Sequence, residues 1–156
     1  MKRATALVIF LCLSPFLSAG QAAYRLSVTP EGQPPGFFLP LQENESWCLV
    51  WNHSVAGFAV TDCFVLIEGQ WLLASSHQPD FAAGLGHRQG YGELQSDGAG
   101  GYLISNIDEP IPGNRMVLRV GAMQVNHRLL HRDREVSLSE QFAGQRVIIH
   151  VGREGL

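Results

Sequence analysis

The sequence predicts an all-β protein, a single-domain antiparallel β-sandwich or barrel of roughly nine or ten short strands, preceded by a signal peptide. Seventeen glycines and eight prolines in 156 residues break the chain too often for long helices. The stretch 47–67, WCLVWNHSVAGFAVTDCFVLI, alternates Trp, Val, Phe, Ile and Thr on both sides of a turn at 54–57, as two paired strands do. Neither a repeat of fixed period nor a heptad pattern competes with that reading.

The N-terminus comes first. Lys2 and Arg3 precede an apolar run over 4–17, and small residues follow at 18–23. The run is shorter than the roughly 18 residues of a membrane span and is broken by Ser14-Pro15, so 1–23 reads as a secretory signal cleaved near Ala23. Cys12 sits mid-run without the small residues that precede an acylated cysteine. The mature protein, 24–156, is therefore expected to be periplasmic or secreted, with a retained N-terminal anchor as the lesser alternative.

Within 24–156, Tyr24, Leu26 and Val28 alternate as a first strand stopped by Thr29-Pro30. Prolines 34, 35 and 40 allow 32–46 to be extended but not central, so Phe37, Phe38 and Leu41 lie over a core edge. The hairpin follows. With a four-residue turn, His53 faces Phe58, and Trp51, Leu49 and Trp47 pair with Val60, Asp62 and Phe64 on one face. The other face pairs Asn52, Val50 and Cys48 with Ala59, Thr61 and Cys63. Two bulky faces put this hairpin in the middle of a sheet.

A strand at 71–74 returns alongside 64–67, and 77–92, with glycines at 84, 86, 90 and 92, reads as a long surface loop. Strands at 91–95 and 101–105 flank the glycine-rich turn SDGAG. The alternation of Met116, Leu118 and Val120 marks a strand over 115–120. Further strands are expected at 125–130, 135–138 and 146–151. A single helical turn at 138–143 is expected to be capped by Ser139 and ended by Gly144.

Without 1–23, nine arginines and no lysine oppose fourteen acidic residues, a net charge of −5, which argues against a nucleic-acid surface. Export leaves Cys48 and Cys63 as an even pair in an oxidising compartment, facing each other across the hairpin, and predicts a disulfide. Zinc-ligand spacing is missing among the six histidines. His127 and His131 bracket a strand-turn rather than one helical face, so no metal and no cofactor is expected.

His53 and Asp62 fall on the bulky face about 13 Å apart along the strand, too far for proton exchange. Asp62 is expected to accept hydrogen bonds and hold the hairpin. Ser54 lacks a Gly-x-Ser-x-Gly elbow, and GLGHRQGYG lacks the Gly-Lys-Ser/Thr of a phosphate loop. No catalytic residue is expected.

The sequence WNHSV at 51–55, the acidic strand residue Asp62, FAAGLG at 81–86 and LRVG at 118–121 together resemble the DUF1850 family, over roughly 47–151. That resemblance implies a small exported or membrane-anchored protein of a group often encoded beside TAXI-type TRAP transporters, with no established catalytic activity. Ala56-Gly57 stand where the family usually has Glu and a polar residue, and Asp62 where Glu is usual. The resemblance directs attention to a binding surface floored by His53, Ser54, Phe81, Gly84 and Gly86. The function it implies is that of a non-catalytic accessory or binding protein. Its expected partners are a TRAP transporter membrane or solute-binding component, or a small organic solute. The alternatives are a secreted hydrolase with a site near His53 and the 77–92 loop, and a purely structural β module.

Overall fold

The structure, a computed structural model, describes residues 24–54, 57–79 and 90–154. The expected signal segment lies outside them. Twelve strands follow in the order β1 (Tyr24–Pro30), β2 (Phe37–Leu41), β3 (Ser46–Asn52), β4 (Ala59–Ile67), β5 (Gln70–Gln78), β6 (Glu93–Ser96), β7 (Tyr102–Ser105), β8 (Glu109–Pro110), β9 (Arg115–Arg119), β10 (Arg128–His131), β11 (Arg134–Ser137) and β12 (Arg146–Arg153). Among the described residues one α-helix, α1 (Leu138–Phe142), precedes β12. Among the described residues no helix is long and apolar enough to cross a membrane.

The strands form two antiparallel sheets. One has four strands in the order β2-β1-β12-β9; the other has eight, in the order β11-β10-β3-β4-β5-β7-β6, with the short β8 also on β5. Alternate residues of both sheets meet in one core. Leu26, Val28, Val147, Ile149 and Val151 come from the small sheet, and Trp47, Leu49, Phe64, Leu66, Trp71 and Leu129 from the large one. At its centre Trp47 stacks on Phe64 with ring centroids 4.5 Å apart, and Trp71 meets both at 5.2 Å. Such ring pairs add about 0.5–1.5 kcal/mol each beyond the area they bury.

The hairpin register is the predicted one. Trp47, Leu49 and Trp51 pair with Phe64, Asp62 and Val60, and Cys48, Val50 and Asn52 with Cys63, Thr61 and Ala59. The His53 N–H donates to the Phe58 carbonyl at 2.7 Å. Cys48 and Cys63 are bonded, with Cα atoms 4.0 Å apart. β3 and β4 are central strands, as expected, but only one of their faces is closed. Thr61, Cys63, Val65 and Ile67 are half-buried because the small sheet covers the opposite side. β2, which carries Pro40, is an edge strand.

Two other expectations change. β5 continues to Gln78, so the long connection begins only at Pro79. Helix α1 is capped by Ser137, whose side chain accepts from the Glu140 N–H at 3.1 Å. Ser139 is buried instead, its hydroxyl accepting from the His127 N–H and donating to the Gly121 carbonyl, both at 2.8 Å. Ser137 wins the cap because its backbone is still extended, which aims its oxygen at the first free N–H groups. Gly144, at φ +78°, ends the turn as expected.

The disulfide closes a loop between residues 15 apart, for which chain entropy gives about 3 kcal/mol. The double variant Cys48→Ser/Cys63→Ser should therefore unfold in urea with a free energy lower by about that amount. Unchanged stability would mean that packing alone holds the register.

Candidate binding site at the end of the central hairpin

A break in strand phase builds this site. Along β4 and β5, Phe64 faces Leu73 but Cys63 faces Ser75, so Ala74 is an extra residue, a β-bulge. Its carbonyl accepts from the Ile107 N–H at 3.1 Å. Trp71 and Leu73 point into the core. The bulge shifts the alternation by one, so Ser76 and Gln78 follow them inward, where an unbroken strand would turn them to solvent. His77 is left on the outside, its Nε2 3.0 Å from Asp97 Oδ2.

The inward residues meet in a polar row. Tyr102 donates its hydroxyl to Gln78 Oε1 at 3.0 Å, Gln78 Nε2 donates to Ser76 Oγ at 3.5 Å, and the Ser76 side chain hydrogen-bonds the Asp62 carboxyl across the strand pair. Ser76, Gln78 and Tyr102 are at most 4% exposed. Asp62 Oδ1 is shut off from solvent and has no hydrogen-bond partner among the described residues. Burial pushes the Asp62 carboxyl above its usual pKa, and the Ser76 hydrogen bond offsets part of that rise. A carboxyl whose pKa is raised by burial inside a polar row suits recognition of a polar group more than nucleophilic chemistry.

The predicted site residues divide. His53 and Ser54 stand at the turn end of the hairpin, where the His53 ring stacks on Phe58 at 5.2 Å and the Gly57 N–H donates to the His53 carbonyl at 2.8 Å. Asp62 lies four residues deeper, opposite Leu49 and Ser76. Its hydrogen bond comes from Ser76. Thr61 faces His77, so β5 leaves the sheet at Pro79 on the same end as the hairpin turn. The other predicted floor residues, Phe81, Gly84 and Gly86, lie outside the described residues.

His127 and His131 are structural. His127 Nδ1 accepts from the Gly121 N–H at 3.0 Å, and burial lowers the pKa of its ring, as suits the neutral form that this bond requires. His131 is 3% exposed, with Nε2 3.0 Å from Glu45 Oε1. Glu45 also accepts from Arg132 through both oxygens and from the Gln42 N–H at 2.8 Å, tying the β2–β3 connection to the β10–β11 turn. Burial works to raise the Glu45 pKa, but the bonds from Arg132 and Gln42 and the nearness of His131 bring it below its usual value. Among the described residues no group of three or more His, Cys, Asp or Glu is placed to hold a metal.

The two carboxyls give opposite pH slopes. Asp62, with a raised folded pKa, contributes most at low pH, and its contribution falls as pH rises from the unfolded value of 3.8 through the folded one. Glu45, with a lowered pKa, contributes above the unfolded value, and that is lost as pH falls through the folded one. Relative to wild type, Asp62→Asn should therefore gain stability between about pH 4 and pH 7, and Glu45→Gln should lose more at about pH 7 than at about pH 3. Urea unfolding at each pH measures both, and parallel curves for Asp62→Asn and wild type would show that the carboxyl is as well solvated folded as unfolded.

Comparison with curated proteins and with solved structures finds no match. A family match begins at Cys48, one residue into the hairpin, and ends at Leu138, the first residue of α1, so it takes in WNHSV, Asp62, FAAGLG and LRVG but leaves out β12. Covering 48–138, more than half of the chain, it is to the family described as Domain of unknown function (DUF1850), and the chain belongs to that family.

Proposed function

We propose that the protein is a non-catalytic binding or accessory component of a solute-uptake system, exported by cleavage of 1–23 and acting outside the cytoplasmic membrane. Its working surface is the end of the large sheet that carries the His53–Ser54 turn, with Phe81, Gly84 and Gly86 as the further residues of the site. The observation that carries this reading is the inward polar row, Asp62, Ser76, Gln78 and Tyr102, which holds one buried carboxyl oxygen without a partner among the described residues. Buried polar groups are nearly always satisfied, so an orphaned acceptor is where a polar ligand group fits.

The Cys48–Cys63 bond supports an oxidising compartment. A TRAP-type transporter component is the partner that suits the family's usual gene setting, and a small organic solute is the ligand that suits a row of hydrogen-bond donors and acceptors. A hydrolase would need a nucleophile beside a histidine. His77 has the carboxylate of such a pair in Asp97, but no serine, threonine or cysteine among the described residues bonds its ring.

Uptake by cells lacking the gene, restored with wild type or variants, tests this reading. His53→Ala and Tyr102→Phe should each cut restored uptake several-fold, while the melting temperature of His53→Ala moves by no more than about 2 °C, the shift of a surface change. Full uptake by both variants would overturn the reading. Loss of uptake only through unfolding would assign these residues to the scaffold. Export is read separately from the intact mass, which should start near Ala23, and a membrane-bound species retaining 1–17 would show an anchor.

A further inference from the structure

The four strands of the small sheet, β1, β2, β9 and β12, contain five arginines and one histidine and not one acidic residue. In a mature chain of net charge −5 this is a sharp segregation. Register places Arg25 beside Gly152, Ser27 beside His150, His150 beside Arg115 and Arg146 beside Arg119, all on the face turned away from the core. Of these arginines only Arg146 approaches a carboxylate, Glu31 at 3.6 Å. Among the described residues none lies within 4.0 Å of Arg25, Arg115, Arg119 or Arg153.

The face is not flat. A cleft of about 190 Å³ opens in it, lined by Arg25, Ser27, Pro35, Phe38, His150, Gly152 and Arg153. Gly152 makes the hollow, because a Cβ there would stand 2.9 Å from His150 Cε1, so the imidazole lies over bare backbone. The Arg25 guanidinium is held 4.6 Å above the Phe38 ring, which is 46% exposed, and Arg153 is steadied over Tyr24 at 5.6 Å. Ser27 Oγ is turned to the His150 carbonyl at 3.3 Å, which leaves the arginines and the imidazole as the polar groups available to a guest. Stacking on an aromatic ring fixes a guanidinium without using its N–H donors.

We propose that this cleft binds a compact organic carboxylate, its charge between Arg25, Arg153 and His150 and its carbon part against Phe38 and Pro35. The volume is below the roughly 300 Å³ at which drug-sized sites begin, which limits the guest to a small acid. An apolar wall beside the cations favours a carboxylate with a carbon body over a fully hydrated inorganic oxyanion. The site stands on the opposite sheet from the hairpin surface and does not depend on it.

Benzoate and inorganic phosphate are the probes, titrated into the purified protein while backbone amide NMR signals of Arg25, Ser27, His150 and Gly152 are followed. Benzoate should give saturable shifts at these residues, and Arg25→Gln should weaken it about tenfold, the loss of one charge-assisted contact. Arg153→Gln, at the exposed strand end, should weaken it too, and serves where Arg25→Gln disturbs the sheet. Absence of saturable shifts, or equal benzoate affinity in Arg153→Gln, would overturn the proposal. So would phosphate binding as tightly as benzoate at the same residues, since the site would then read charge alone.

Discussion

The register of β3 against β4 is the constraint on which the rest depends. Side chains alternate with a period of two, so a slip of one residue would carry Trp47, Leu49, Phe64 and Leu66 from the core to solvent. It would also part Cys48 from Cys63. The disulfide therefore holds the same register that the core requires, from the half-open face of the sheet, where packing is weakest. Because β10 pairs with β3, and β5 with β4, both wings of the large sheet take their phase from this one pair.

The phase is deliberately broken once. At Ala74 the bulge lets one strand serve two surfaces, apolar at Trp71 and Leu73 and polar at Ser76 and Gln78, without turning the strand over. The cost is a buried Asp62 with an unsatisfied oxygen, a feature that stability alone would not retain, since a carboxyl short of partners loses more on desolvation than one hydrogen bond returns. Rule-breaking of this kind, inside an otherwise consistent sheet, is what separates a site from a scaffold.

Strand existence and hairpin register were legible in the sequence because they rest on local alternation and turn chemistry. The polar row was not. Ser75-Ser76-His77-Gln78 has weak strand propensity, and the bulge at Ala74 changes phase just before it, so no single period fits 70–78 and the strand reads as ending at Ala74. Ser139 misled for a related reason: one residue separates two serines that suit a cap, and only the tertiary partner at His127 decides which is buried. Asp62 was legible as a buried carboxyl in need of a partner. Its partner, Ser76, required the register of a third strand.

Charge segregation could not be read from net charge, because it emerges only when distant strands are assembled. Arg25 and Arg153 are 128 positions apart in the sequence, yet β1 pairs with β12 so that Tyr24 faces Arg153. A sheet with five arginines and no carboxylate repels itself, and screening at physiological salt reduces that repulsion without abolishing it at neighbouring strands about 5 Å apart. The chain meets this strain partly with aromatic rings, placing Phe38 under Arg25 and Tyr24 under Arg153, rather than with the acidic residues it has in surplus elsewhere. Neutral partners restrain a cation and leave its charge unanswered. The small sheet thus keeps an electrostatic capacity for an anion, while the large sheet keeps a hydrogen-bonding capacity at Asp62, and the shared apolar core holds the two apart.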